Sequence, residues 1–425
     1  MTVAPSQRTM TTHKQAASSA PLIRQALRNV VLGEIDALCS IRHDLHAYPE
    51  LSFQEMRTSG VVQRELQSLG IKFISGLGGG SGVVGYLPAS TPEGNTRPAV
   101  GLRADMDALP ILEETGKPYA SKTPGVMHAC GHDGHTTILI GAARVLSKVQ
   151  RPNPVTFVFQ PAEEGGGGAD IMCKEGCLAG TTSIPSMGGI GNPVGKMFGL
   201  HGWPTFEVGR VASKVGPLLA ATDDFVVTIR GTQSHGAYPH FGNDPIVATA
   251  SIITALQTIA SRNVGPLDSV VVSVGAINAG TANNIIPQEV KFIGTVRTLR
   301  QSTKDIAKRR FIEIVHGTAA AMGCAAEIEY NDGYPVTENH PDATELFFTV
   351  AREILGNENV ERLEHATMGG EDFSYYGQQV PACFYFLGIK PKGAESFPTL
   401  HQPDFDFNDD ALVVGVELMC QLALR

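Results

Sequence analysis

The sequence contains no apolar run approaching the ~20 residues that a membrane-spanning helix requires, so a helical span is excluded. It has no excess of basic residues. Lys and Arg total 33 against 42 Asp and Glu, a formal net charge of -9. That balance argues against nucleic acid or an anionic membrane as the main partner. A cysteine framework is also missing. The seven cysteines, Cys39, Cys130, Cys173, Cys177, Cys324, Cys383 and Cys420, are odd in number and scattered, unlike a disulfide-stapled secreted domain. Cys173 and Cys177 have no second pair to complete a zinc site and read as ordinary helix residues. The first 20 residues contain no acid, yet no apolar targeting core follows them. Residues 1–21 therefore read as a disordered extension, and a cytoplasmic location is expected.

What is present is ordinary globular composition, 42% hydrophobic and 18% charged over 425 residues, enough for two domains. "PELSFQEMRTSGVVQRELQSLG" has helical spacing and stops at Gly70. The runs "GVVGYL", "AVGLRADMDA", "VTFVFQPA" and "KMFGLHGWP" are apolar throughout and alternate with helical stretches such as "HTTILIGAARVLSKV". Strands of that kind belong to a mainly parallel sheet covered on both faces, an α/β fold. Near residue 213 the texture changes to strand, helix, two strands, helix, strand, which implies an inserted α+β domain of four strands and two helices. The expected division is 22–212 and 332–425 for the first domain and 213–331 for the insertion.

The stretch "HACGHDGHTT", residues 128–137, concentrates three histidines, a cysteine and an aspartate. In open α/β sheets chemistry gathers where strands end. Asp105 and Asp107 follow "AVGLR", Glu163 and Glu164 follow "VTFVFQPA", His201 ends "KMFGL", and His401 lies in "TLHQPDF". Cys130 and His132, two apart in an extended turn, can share one ion, and thiolate, imidazole and carboxylate together suit zinc or manganese. Adjacent carboxylates repel and are costly to bury, and a nearby cation removes that cost. One of the pair can then ligate while the other stays free as a base. His128 and His135 read as packing residues or supports for ligands rather than ligands.

The segments "LRADMDALPI", "HACGHDGHT", "FQPAEEGGGGA", "GLHGWP", "RGTQSHGAYPH", "NNIIP", "MGGEDF" and "LHQPDF" run in order through almost the whole chain after residue ~35. Together they resemble the metallo-aminoacylase and carboxypeptidase superfamily, in its hippurate hydrolase and indoleacetyl-amino-acid hydrolase subgroup. The resemblance implies two divalent metal ions per subunit, manganese or zinc, with cobalt also accepted. It implies Cys130 as a bridging ligand, with His132, Glu164, His201 and His401 as the others. Glu163 matches the general base and Asp107 the aspartate that orients the centre. His235 resembles a histidine supplied to the active site of a homodimer partner, and Asn284 and Arg297 resemble residues that hold a substrate carboxylate. The implied reaction is hydrolysis of the amide bond of a small N-acyl amino acid. A dipeptidase or a metabolite deacetylase with the same mechanism is the alternative. A cysteine-nucleophile amidase would leave Glu163, Glu164 and His401 unexplained, and a closed four-ligand zinc module fits five candidate ligands and a spare base poorly. Two departures from the pattern stand near the site: a long stretch at 181–196, and Gly202 where a larger apolar residue is common.

Overall fold

Runs of apolar residues with no polar alternation leave a strand no face to give to water, and these strands are covered on both sides. The computed structural model describes residues 24–181 and 189–425. The extension expected at 1–21 lies outside the described residues, as does the 182–188 part of the stretch 181–196.

The chain folds as two units. The first begins with helices α1 (24–32), α2 (Ile35–Ala47) and α3 (Met56–Ser68). It continues with β1 (Lys72–Leu77), β2 (Gly82–Leu87), β3 (Ala99–Asp105), α4 (His132–Ser147), β4 (Val155–Gln160), α5 (Gly168–Lys174), β5 (Val194–Glu207) and β6 (Val211–Ser213). The second unit carries β7 (Gly216–Leu219), β8 (Ala221–Arg230), β9 (Ser234–His235), α6 (Pro245–Leu256), β10 (Val270–Ala279), β11 (Ile285–Ile286), β12 (Glu289–Thr298), α7 (Gln301–Ala321), β13 (Ala325–Asp332) and β14 (Thr337–Asn339). The chain returns to the first unit for α8 (Pro341–Leu355) and β15 (Val360–Arg362), visits the second for α9 (Ser374–Gly377), and ends in the first with β16 (Ala382–Lys390) and α10 (Ala411–Ala423).

The first unit is built on an eight-stranded sheet in the order β1-β2-β4-β3-β5-β16-β6-β15. Its central strands β4, β3, β5 and β16 are mutually parallel, so the α/β reading with a mainly parallel core is borne out. Helix α4 is buried almost all round, as a helix packed among others must be. It lies against α2, α10 and β3. In the second unit β10-β12-β8-β13 form an antiparallel sheet, and Phe225, Phe292, Phe311 and Ile252 fill the space between the sheet and helices α6 and α7.

Three expectations need correction. The second unit does not stop at 331. It runs to His340 and also takes Leu363–Gln378. The cause is strand pairing: β14 pairs with β7, and the Thr367 amide donates to Leu218 O at 3.0 Å. Helix α3 begins at Met56, not near Pro49. The Glu50 carboxylate accepts from the Arg57 and Thr58 amides, both at 2.9 Å, and so caps the helix from outside. Phe53, at φ 63°, cannot continue a helix. Cys177 is not helical either, because α5 ends at Lys174. Both Cys173 and Cys177 are buried free thiols.

Candidate metal centre

The site grows from the place where β3 stops. β3 pairs with β5 only as far as Arg103↔Gly199, while β5 continues beside β16 through His201↔Phe386. His201 therefore lies inside a strand and does not end one, which corrects the sequence reading. On its β3 side, however, strand pairing has already finished, and that gap admits side chains from neighbouring loops.

Asp105 and Asp107 leave the end of β3 and are fully buried. Asp107 accepts four hydrogen bonds. Oδ1 takes His132 Nδ1 at 3.2 Å and the Glu163 amide at 3.0 Å, and Oδ2 takes Ser52 Oγ at 2.8 Å and the Glu164 amide at 2.9 Å. One carboxylate thus fixes both the ring of His132 and the backbone carrying the glutamate pair. Ala162, just before that pair, has φ 53° and donates its backbone amide to Glu55 Oε1 at 2.9 Å. Asp105 Oδ1 receives His135 Nδ1 at 2.7 Å, and His135 Nε2 accepts the Gly202 amide at 2.8 Å.

These bonds set the tautomers. His201 Nδ1 faces the carbonyl of Gly202 at 2.8 Å, so it carries the proton and Nε2 keeps its lone pair. That Nε2 lies 3.3 Å from Cys130 Sγ. His132 donates from Nδ1 to Asp107, and its Nε2 is buried without a hydrogen-bond partner. A buried imidazole nitrogen left unsatisfied is unusual, and a lone pair turned towards other ligand atoms fits a metal. Cys130, His132 and His201 place ligand atoms within 4.8 Å of one another, and so do Cys130, Glu164 and His401. The two triads share the Cys130 sulfur. Glu163 closes a third group with His132 and Glu164. His401, at φ 67°, brings Nε2 to 3.2 Å from Glu164 Oε1.

The electrostatics follow from burial among like charges. Burial, then Glu164 and Glu163, push the Cys130 thiol well above its ordinary range. Burial alone would lower His132, but Asp105, Asp107 and Glu164, with no cation to offset them, raise it to about 10, so an ion at Nε2 would take the place of a proton there. Burial, reinforced by His135, pushes His201 well down. A concentration of carboxylate and thiol around imidazole is the donor set that accepts a divalent cation.

His235, Asn284 and Arg297 belong to the second unit. β9 and β11 bring the first two together: His235 pairs with Ile285, and the Gly236 amide donates to Asn284 O at 2.7 Å. His235 is exposed, and its Nδ1 accepts from the Ala237 amide at 3.0 Å, which leaves the ring proton on Nε2. Arg297 lies on β12 opposite Thr222 and Val271. Its Nε donates to Thr295 Oγ1 at 2.9 Å, and no carboxylate among the described residues pairs with it.

Sequence reasoning set Asp105 beside Asp107 at the strand end without giving it a role, and it passed over Ser52 and Phe407. Asp105 was legible as the last residue of β3, where the strand gives way to the loop that carries Asp107. His135 was read as a support, and it holds the backbone of Gly202. Phe407 gave no sequence signal. Its buried ring fills the space that a Cβ at Gly131, Gly134 or Gly202 would enter. That accounts for the missing side chain at Gly202, where an added Cβ would meet the ring at 2.9 Å.

The model of Peptidase family M20/M25/M40 matches residues 101–425. An N-acetyl-L-cysteine deacetylase of Bacillus subtilis (strain 168) is 38% identical over 391 residues, covering 91% of this chain and 88% of the relative. The hippurate hydrolase of Campylobacter jejuni is 37% identical over 385 residues, covering 91% and 95%. The crystal structure of the Bacillus subtilis YXEP protein, a dinuclear metal binding peptidase from the M20 family, superposes with a TM-score of 0.75 at 32% identity, over 92% of this chain and 98% of that one. The resemblance read from the motifs is borne out, and the chain belongs to peptidase family M20/M25/M40.

Proposed function

We propose that this protein is a metal-dependent amidohydrolase that cleaves the amide bond of N-acyl amino acids to a carboxylic acid and an amino acid. One observation carries the reading: two ligand triads share the sulfur of Cys130, with the carboxylate of Glu163 beside them and outside both. In this reading Cys130, His132, Glu164, His201 and His401 hold two divalent ions, manganese or zinc. Bound there, such ions would polarise the amide carbonyl and acidify a water.

The remaining work falls to the chain's own groups. Glu163 accepts the proton of the attacking water and returns it to the leaving nitrogen. Asp107 keeps His132 in one tautomer and Glu163 in place through the bonds described above. His235, with its proton on Nε2, is suited to donate to the developing oxyanion, and we assign it to the site of a homodimer partner. Arg297, a charged fork that no described carboxylate pairs with directly although Asp223 acts on it at longer range, and Asn284 suit the free carboxylate of the amino acid. A cysteine nucleophile fits poorly, because a reactive thiolate needs cationic neighbours and Cys130 has carboxylates.

The similarity to an N-acetyl-L-cysteine deacetylase favours a second choice of acyl group within the same chemistry. The test is a panel of N-acetyl, N-benzoyl, indoleacetyl and fatty-acyl amino acids, run on metal-stripped protein and on protein reloaded with Mn or Zn. Activity should vanish on stripping and return on reloading, and the preferred acyl group should separate the two choices. Full activity in protein shown by elemental analysis to be metal-free would overturn the proposal.

A further inference from the structure

The Arg42 side chain is completely buried on α2, yet it touches none of the groups assigned to catalysis or metal binding. Its Nη1 donates to Asp133 Oδ2 at 3.3 Å and to Asp406 Oδ1 at 2.8 Å, and its Nε lies 2.5 Å from Asp409 Oδ1. The guanidinium also stands over the Tyr119 ring, 4.6 Å from its centre, and Tyr119 donates its hydroxyl to Asp406 Oδ2 at 2.7 Å. A fully buried guanidinium with three carboxylates is a large electrostatic commitment for a surface helix to make.

The positions of those carboxylates give it meaning. Asp133 directly follows His132, in the first turn of α4, and His46 binds its Oδ2 at 2.8 Å. Asp406 and Asp409 follow His401 in the loop before α10. The two segments meet a second time where the His401 amide donates to Ala129 O at 2.8 Å. They meet a third time where Phe407 packs on Gly131 and Gly134. Arg42 is thus a bracket between the segment that carries Cys130 and His132 and the segment that carries His401.

We infer that Arg42 is a positioning residue: it sets the distance of His401 from Cys130 and so controls the affinity of the ion that the Cys130–Glu164–His401 triad would hold. The inference rests on the dimetal reading above. It singles out one ion, because His132 and His201 are also fixed by Asp107 and by Gly202 O. The ring of His401 meets its fellow candidate ligand Glu164 at 3.2 Å, and its segment is held by the bond to Ala129 O, the Glu114 amide on Pro403 O at 2.7 Å, the Phe407 packing and the Arg42 bracket.

The test is a manganese titration of metal-stripped full-length protein by calorimetry, which reads the number of ions and each affinity. Arg42→Lys keeps the charge but loses the fork. Asp406→Asn keeps the shape and removes one arm, and it serves should Arg42→Lys fail to fold. Each should retain one ion at wild-type affinity and weaken the other ~10–100-fold, the usual effect of losing a group that orients a ligand. His401→Ala should lose the same ion, and adding Asp406→Asn to it should change nothing further. Unchanged binding of both ions overturns the inference. So does an equal loss of both accompanied by a lower denaturation midpoint of the metal-free protein, since that marks a purely structural residue. If wild type binds fewer than two ions, the dimetal reading fails and the inference falls with it, a result recognisable in the wild-type titration alone.

Discussion

Gly134 and Phe407 allow a prediction whose sign changes with background. A Cβ at Gly134 would lie 2.5–2.6 Å from three atoms of the Phe407 ring, closer than real Cβ contacts come. The ring cannot retreat freely, because it also fills the space beside Gly131 and Gly202. Overpacking of this kind costs about 1–3 kcal/mol. Gly→Ala in a helix returns up to ~1 kcal/mol. Gly134→Ala alone should therefore destabilise by about 1–2 kcal/mol. Phe407→Ala should cost about 3–5 kcal/mol, as removal of a buried ring does. In the Phe407→Ala background the clash is gone, and Gly134→Ala should become stabilising by up to ~1 kcal/mol. Urea unfolding followed by Trp203 fluorescence is the assay. Trp203 is the only tryptophan of the chain, and it lies on β5 stacked on Phe386 at 4.0 Å, so it reports the unit in question. Destabilisation by Gly134→Ala of the same size in both backgrounds would refute the reasoning, because the added methyl would then be colliding with something other than Phe407.

Glu163→Gln should retain both ions yet lose ~10²–10⁴-fold in kcat, as loss of a general base does, whereas Glu164→Gln should lower metal occupancy. Near-normal turnover of metal-loaded Glu163→Gln would move the base elsewhere. His235→Ala should be nearly inactive with normal metal content, and mixing it with Glu163→Gln should restore roughly a quarter of wild-type activity if subunits exchange at random in a dimer. Mixed dimers shown to form without recovery would place His235 in its own chain's site. A pH effect is expected at His46: burial lowers it, but Asp133 and Glu113 outweigh burial and Arg42 and bring it to about 9. Its folded value exceeds the ordinary ~6.5, so its stabilisation is complete below about pH 6.5 and fades as pH rises through about 9. The stability difference between wild type and His46→Gln should shrink over that interval, and a constant difference would contradict the assignment.

Strand alternation and ligand-type residues were legible because each depends on local spacing. The strand end that carries Asp105 and Asp107, and the apolar run that makes β4 a buried strand, are visible within ten residues. The bracket between Asp133 and Asp406 was not, because it depends on Arg42, far away in sequence on another helix. Nor was the return of Leu363–Gln378 to the second unit, where a backbone pairing with Leu218 and Ala220 overrides sequence order. His201 shows the limit of reading strand ends from composition. Its strand continues through Trp203 to Glu207, because β16 still pairs with it after β3 has stopped. Gly202 looked like a deviation and is instead half of a pair whose other member, Phe407, lies two hundred residues away.

Three described residues other than glycine adopt positive φ: Phe53, Ala162 and His401. Each belongs to a segment that shapes the centre. Phe53 follows Ser52, Ala162 precedes the glutamate pair, and His401 is itself a candidate ligand. A left-handed backbone at a residue with a side chain costs of order 1–3 kcal/mol and persists only where its surroundings hold it. For anyone seeking a hardier version of this enzyme, these are the positions where glycine would relax the chain most and where it is least welcome. Gains in thermal tolerance at 53, 162 or 401 would be drawn from the rigidity that aligns the ligands. Robust variants are better sought away from these three segments.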